Sequence, residues 1–204
     1  MIRAAIVGLG RWGQNLVNSV RTSQAIRFTT ANTRTQATAA SFCADAGLRW
    51  VDSLDTILTD RDIDAVVFAT PHTQHSEQVI RAAGAGKHVF VEKPFSLSRA
   101  DAAKAEAAAE RAGVVLAVGF NRRFHPSMGL LRDAVSSGRL GTLVTISAEQ
   151  TALHGIAMTA EPAACSAIAS AWASWLTGAV STAAVATAAR KRRSGRVSRR
   201  STGQ

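Results

Sequence analysis

Short apolar runs alternate with longer amphipathic stretches along the first 120 residues. The runs are rich in Val, Ile and Ala and have little polar alternation, which is typical of strands buried on both faces of a parallel sheet. The stretches between them carry apolar residues at helical spacing. Six strands are predicted, at residues 2–7, 26–31, 48–51, 64–69, 89–91 and 114–118. This alternation predicts an α/β fold with a doubly wound parallel sheet.

Cap residues mark where the helices between these strands begin and end. Gly47 and Gly113 favour helix C-termini. Ser53 favours a helix start, as does either Ser98 or Asp101. The predicted helices cover a segment through Val20, residues 35–46, residues 54–58, a segment from Thr73 or Ser76 to about 84–86, and residues 100–112.

A change in pattern after Pro126 predicts a second domain. Residues 127–137 have the spacing of a helix, residues 138–141 form a glycine-bounded turn, and residues 143–149 alternate like a strand. We therefore expect a first domain over residues 1–121 and, over residues 122–159, the incomplete start of an α+β domain.

The first strand runs directly into Gly8-Leu9-Gly10-Arg11-Trp12-Gly13. A G-x-G-x-x-G motif between a strand and a helix indicates a dinucleotide site. Gly8 would allow the tight turn, Gly10 the approach of a pyrophosphate, and Gly13 close packing of the helix on the strand. Arg11 and Trp12 lie at the loop tip, and Trp12 is expected to pack over the loop rather than to contact the nicotinamide. The alternative is a glycine turn with no ligand.

The second strand leads into Asn32-Thr33-Arg34, where the adenosine ribose of a dinucleotide is expected. An NAD site usually has an acidic residue here to bind the ribose 2′-hydroxyl. Asn32 stands in its place, and the Arg34 guanidinium suits a 2′-phosphate. The sequence therefore favours NADP, with NAD possible. Alternatively, Arg34 is only a solvated residue of the next helix.

Polar turns also follow the fourth and fifth strands. Thr70-Pro71 and Glu92-Lys93-Pro94 end these strands, because proline has no N–H for a sheet ladder. Lys93 is thereby predicted at the edge where open α/β sheets bind ligands. His72 and His75 have the spacing of an i, i+3 metal pair, but no cluster completes a metal site. A role for His75 in fixing the turn or touching the cofactor is favoured instead.

The net charge of +10 is concentrated at the end of the chain. Residues 1–159 have 17 basic and 13 acidic residues, whereas residues 160–204 have seven basic residues and one acidic residue. A basic surface on the main domain is therefore not indicated, and no nucleic-acid partner is predicted. Cys43 and Cys165 fit no metal or redox spacing, and the N-terminus lacks a signal-peptide pattern. We expect a cytoplasmic protein.

Residues 160–204 form a low-complexity basic tail rich in Ala, Ser and Arg. A tail translated out of frame from GC-rich DNA explains this composition best. A native disordered or weakly helical tail is a second possibility. The third is a membrane anchor over residues 163–189, which carry no charge, but 19 of these 27 residues are Ala, Ser or Thr. We expect no membrane partner.

Four blocks over about residues 1–159 together resemble the Gfo/Idh/MocA oxidoreductases. They are the glycine motif at residues 8–13, Ala69-Thr70-Pro71 with His75, Glu92-Lys93-Pro94, and residues 119–124 with Pro126. The resemblance implies an N-terminal Rossmann domain that binds NAD(P), and hydride transfer to or from a carbinol carbon of a sugar or cyclitol. It also implies that Lys93 assists proton transfer or orientation, that Asn121 and Arg122 close the cofactor site, and that Glu92 is structural.

Family members continue beyond this length, and their second domain supplies a Gly-x-His block that this sequence lacks. His154 precedes the place where that block should fall. The resemblance therefore implies a truncated or frameshifted chain that binds NADP weakly and turns over little substrate. Family members are expected to form homo-oligomers, an expectation that we do not carry over to this chain. A non-catalytic dinucleotide-binding module is the alternative function, and nucleic-acid binding through residues 190–204 is disfavoured.

Overall fold

The structure, a computed structural model, describes residues 1–145 and residue 147. Strands and helices alternate along these residues. The strands are β1 (Ile2–Val7), β2 (Ile26–Asn32), β3 (Arg49–Val51), β4 (Ala65–Phe68), β5 (His88–Val91) and β6 (Leu116–Val118). The helices are α1 (Arg11–Ser19), α2 (Ala40–Ala46), α3 (Leu54–Thr59), α4 (His75–Gly84), α5 (Arg99–Ala112) and α6 (Pro126–Ser136).

All six strands form one parallel sheet in the order β3-β2-β1-β4-β5-β6. The order reverses between β1 and β4, which is the switch point at which doubly wound sheets bind ligands. Val7 lies beside Asn32 on one side and beside Phe68 on the other. The predicted Rossmann sheet with six strands is confirmed. Because all six strands are parallel, the turns that follow them lie at the same edge of the sheet, the one formed by the strand C-termini.

Two apolar cores lie on opposite faces of the sheet, because alternate residues of each strand point to opposite faces. On one face, Ile6 and Val67 belong to the core that α1 and α2 cover. On the other face, Phe68 and Val91 pack in the core of α3, α4 and α5. Burial on both faces is why these strands read as continuous apolar runs.

The cap residues act largely as the sequence predicts. Ser53 and Ser98 each accept a hydrogen bond from a backbone N–H in the first turn of α3 and α5. Gly47 and Gly113 follow α2 and α5 in the left-handed conformation, with φ of 64° and 65°. Four helix ends are therefore set by local chemistry that can be recognised in the sequence.

The helix predicted over residues 35–46 is wrong in its first half. A single 3₁₀ turn spans Gln36–Thr38, and α2 begins only at Ala40. The Thr38 hydroxyl donates to the carbonyl oxygen of Thr35 at 2.9 Å. Such local side-chain bonds compete with helical backbone bonds, and two threonines in this stretch favour the shorter turn.

The predicted start of the second domain is only partly described. Its helix is present as α6, and no residue of α6 is buried against the described part of the chain. The strand predicted over 143–149 is not formed by residues 143–145, and most of its remainder lies outside the described residues. The tail over 160–204 also lies outside them. Within the described part of the chain, no helix is long and apolar enough to cross a membrane.

The core can be tested with two isoleucines that lie on helices. Ile57 of α3 is fully buried, whereas Ile80 of α4 is 36% exposed. We expect Ile57→Ala to lower the free energy of unfolding by about 2–5 kcal/mol, because it leaves a cavity in the core. Ile80→Ala, the matched control, should cost less than about 1 kcal/mol. Urea unfolding followed by circular dichroism measures both, and equal losses would contradict the assigned core.

Candidate cofactor and active site

The carboxyl edge of the sheet collects the sequence-predicted site residues. The glycine motif follows β1, the segment from Asn32 to Arg34 ends β2, Thr70 and Pro71 follow β4, and Glu92 and Lys93 follow β5. Asn121 and Arg122 come after β6 in a 3₁₀ turn. Because parallel strands end at the same edge, segments distant in sequence meet along this edge.

Close backbone contact shapes the glycine loop. Gly8 has a φ of 95°, and a Cβ there would lie 2.5 Å from the carbonyl oxygen of Ala69, just beyond β4. A Cβ on Gly13 would lie 2.0 Å from the carbonyl oxygen of Gly8. Real side chains essentially never approach this closely. Glycine at both positions therefore lets α1 pack directly on the end of β1.

Gly10 differs, because an added Cβ would meet no atom within 4 Å. It precedes α1 in an extended conformation, and no side chain caps the helix. The first backbone N–H groups of a helix have no partners within the helix, and they favour anions together with the helix dipole. The open approach at Gly10 and the uncapped helix fit the pyrophosphate of a dinucleotide.

The end of β2 is fixed by Asn32. Its side-chain amide donates to the carbonyl oxygen of Val51 at 2.9 Å, and its backbone carbonyl accepts from Gly8 N–H at 2.8 Å. Asn32 thus joins β3 to the glycine loop, and its amide nitrogen is committed. Thr33 is half-buried, whereas Arg34 is exposed. Arg34 makes no hydrogen bond or salt bridge with the described residues, so its guanidinium can turn toward a ligand.

His75 joins the turns after β4 and β5. It is 1% exposed, and its Nδ1 and Nε2 lie 2.8 Å and 3.0 Å from the carbonyl oxygens of Pro94 and Thr70. A ring protonated on both nitrogens can donate to both carbonyls, whereas a neutral ring can donate to one. These two contacts fit a role of His75 in fixing the turns after β4 and β5. His72, in the turn before α4, is exposed.

Lys93 and Glu92 are adjacent in sequence but differ in how far their side chains are exposed to solvent. Lys93 is exposed, and Glu92 is only 7% exposed. Burial raises the pKa of Glu92. The Trp12 indole, the backbone N–H of Lys93 and the charges of Lys93 and His75 act in the opposite direction. The Trp12 indole has this effect on the pKa of Glu92 although its Nε1 forms no hydrogen bond of normal geometry.

Trp12 lies in the first turn of α1. It is half-buried against the core that α1 covers, beside the apolar hollow between α1 and the end of β6. Phe120 and Phe124 line the other side of this hollow. Asn121 Oδ1 accepts from Arg122 N–H at 3.0 Å, and the Arg122 side chain is exposed.

The charges along the carboxyl edge were not apparent from the sequence. Arg11, Arg34, Lys93 and Arg122 are all exposed there, and none forms a salt bridge within the described residues. Near the starts of the strands, Arg3 is instead paired with Asp62 and Asp64. Counting charges over whole segments therefore misses four exposed cations at one edge of the sheet that form no salt bridge within the described residues.

Comparisons with known proteins agree with this geometry. The family model for an oxidoreductase family with an NAD-binding Rossmann fold, GFO_IDH_MocA, matches residues 2–120. The scyllo-inositol 2-dehydrogenase (NAD(+)) of Bacillus subtilis (strain 168) is 33% identical over 145 residues, which are 69% of this chain and 42% of that protein.

Two solved structures extend the comparison. The WlbA dehydrogenase from Bordetella pertussis, in complex with NADH and UDP-GlcNAcA, has a TM-score of 0.65 and 30% identity, and the match covers 69% of this chain and 41% of that one. KijD10, a 3-ketoreductase from Actinomadura kijaniata in complex with TDP-benzene and NADP, has a TM-score of 0.63 and 28% identity, with 67% and 44% covered. This chain thus spans less than half the length of these proteins.

The glycine loop can be tested without any ligand. We expect Gly13→Ala to lower the free energy of unfolding by about 1–3 kcal/mol or more, because its Cβ collides with the backbone of Gly8. Gly10→Ala, the matched control, should stay within about 1 kcal/mol of the wild type, because nothing lies near its Cβ. Thermal unfolding compares the two, and a harmless Gly13→Ala would refute the loop packing.

Proposed function

We propose that this chain, which belongs to the Gfo/Idh/MocA oxidoreductase family, serves hydride transfer between a nicotinamide dinucleotide and a sugar or cyclitol. The observation that carries the proposal is the open backbone at Gly10 at the uncapped start of α1. The Lys93 turn lies at the same sheet edge. The Bacillus relative is named for an inositol substrate, which supports a polyol or its ketone.

The dinucleotide supplies hydride chemistry when bound, and the residues of this chain supply binding and orientation. Gly10 and the first turn of α1 would hold the pyrophosphate, with Arg11 beside it. In the oxidation direction, the substrate carbon would give up a hydride to the bound dinucleotide, and the proton of its hydroxyl would pass to water. The Lys93 ammonium has three N–H donors and no acceptor, so it would orient that hydroxyl by donating to its oxygen.

For the cofactor, we propose a preference for NADP over NAD. Asn32 supplies no negative charge at the end of β2, so nothing at that position repels a 2′-phosphate. Arg34, exposed and without a salt bridge in the described residues, has the fork of donors that suits phosphate. Solved relatives are complexed with NADH in one case and NADP in another, so both cofactors need to be measured.

Replacing Arg34 tests the cofactor preference. We expect Arg34→Ala to weaken NADP⁺ binding about tenfold to a hundredfold, the value of one charge-assisted phosphate contact, and to leave NAD⁺ binding nearly unchanged. Arg27→Ala is the matched control, because Arg27 is also an exposed arginine but lies near the start of β2, at the opposite end from Arg34. Isothermal titration calorimetry measures both cofactors. Tighter binding of NAD⁺ than NADP⁺ by the wild type would contradict the preference.

For turnover, we expect the 204-residue chain to reduce NADP⁺ slowly or not at all with myo-inositol. Among the residues to which the family resemblance gives a part in proton transfer, the described part of the chain contains Lys93. Any turnover should fall about 10²- to 10⁴-fold in Lys93→Met, and nucleotide affinity should stay within a few-fold. Absorbance of the reduced nicotinamide follows the reaction.

The outcomes separate the two functions that the sequence allows. Turnover that depends on Lys93 supports the oxidoreductase. Nucleotide binding without turnover, across sugars and polyols in both directions, supports the non-catalytic dinucleotide-binding module. Steady turnover that survives Lys93→Met contradicts the role given to Lys93.

A further inference from the structure

Glu92 is a charged residue in an apolar position. Phe90, two residues earlier on β5, packs in the core that α1 covers. Because side chains two apart on a strand share a face, Glu92 points to the same side of the sheet. There it lines the hollow with Trp12, Leu16 and Val118. A buried carboxyl group is costly, so its contacts need an explanation.

Three separate segments meet at this carboxyl group. Its Oε2 accepts from the backbone N–H of Lys93 at 3.2 Å. Trp12, in the first turn of α1, lines the same hollow as the carboxyl group, and its buried Nε1 has no hydrogen-bond partner among the described residues. On a third side, a Cβ on Gly119 would lie 2.6 Å from Oε1, so the carboxyl group packs directly against the backbone after β6.

The backbone around Glu92 is itself fixed. Glu92 N–H donates to the carbonyl oxygen of Phe68 at 2.9 Å, and Gly119 N–H donates to that of Val91 at 2.8 Å. The Glu92 side chain therefore extends from a backbone that is bonded to β4, and it reaches the backbone of Gly119, which is bonded to β5. The carboxyl group thus lies between the peptide of Lys93 and the backbone of Gly119.

We propose that Glu92 is a positioning residue, whose buried carboxyl group holds Trp12 of the glycine loop and the peptide of Lys93 in a fixed relation across the site. The functional part of this inference rests on the proposed function, because the first turn of α1, which contains Trp12, is assigned there to the dinucleotide, and Lys93 is assigned to the substrate. The contact itself exists without either ligand.

The electrostatics give this contact a pH-dependent signature. Burial raises the pKa of Glu92, so the group should change protonation above the ordinary glutamate value of about 4.3. Lys93 in the same turn and His75 at the start of α4 are the charges that oppose this rise. Trp12 and Gly119, which pack against Glu92 from α1 and from the end of β6, do not titrate.

The test follows tryptophan fluorescence of the full chain against pH, because indole emission responds to the protonation of a neighbouring carboxyl group. We expect a transition centred above about pH 4.3 that is absent in Trp12→Phe and in Glu92→Gln. The Trp12→Phe variant keeps the other three tryptophans, so any pH dependence that remains in it comes from them and not from Trp12. A transition that persists in Glu92→Gln, or the lack of any Trp12-dependent transition, overturns the proposal.

A second variant perturbs the contact without changing residue 92. Gly119→Ala places a methyl group against the carboxyl oxygen and should shift the midpoint of the transition. Gly129→Ala on α6 is the matched control, because a Cβ there meets nothing within 4 Å, and it should leave the midpoint in place. Circular dichroism confirms that each variant is folded. An unchanged midpoint in folded Gly119→Ala contradicts the contact.

Nucleotide affinity then tests the positioning role. Glu92→Gln preserves the shape of the side chain, and we expect it to weaken NADP⁺ binding by roughly tenfold at pH 7. Equal affinities of wild type and Glu92→Gln would overturn positioning even if the fluorescence transition is present. If the wild type binds neither NADP⁺ nor NAD⁺, the proposed function fails, whereas the fluorescence result still decides whether the carboxyl contact exists.

Discussion

Backbone contact between β1, α1 and the end of β4 sets the geometry of the carboxyl edge. Gly8 and Gly13 have no room for a Cβ, since the nearest carbonyl oxygens would lie 2.5 Å and 2.0 Å away. This packing brings the start of α1 against the switch point of the sheet, so the helix N-terminus faces the turns that follow β4 and β5. The start of α1 and the turn of Lys93 after β5 therefore lie at the same edge of the sheet.

The sequence predicts those features whose causes are local. Six apolar runs, the glycine spacing and the serine caps each reflect a constraint within a few residues, so all of them can be recognised without tertiary information. The start of α2 was mispredicted, because a hydroxyl of Thr38 competed with the helical pattern. The burial of Glu92 against Gly119 joins residues 27 positions apart, and only the strand pairing brings them together.

The turn of Lys93 is held from both faces of the sheet while its amine stays in solvent. Glu92 fixes the peptide on the α1 side, and His75 binds the carbonyl of Pro94 from the start of α4. Both supports are buried polar groups, which are costly unless they are satisfied. These two supports restrict the backbone of the turn, so the point from which the Lys93 side chain extends is fixed.

The hydrogen bond from Asn32 to the carbonyl oxygen of Val51 has a consequence for redesign of the cofactor site. An aspartate at residue 32 would supply the acid found in many NAD sites, but it would turn an oxygen toward that carbonyl. The lost donor would cost about 1–3 kcal/mol. The exposed Arg34 carries no such cost. A change of cofactor preference in this scaffold should therefore destabilise the fold little when it is made by substituting residue 34, and more when it is made by substituting residue 32.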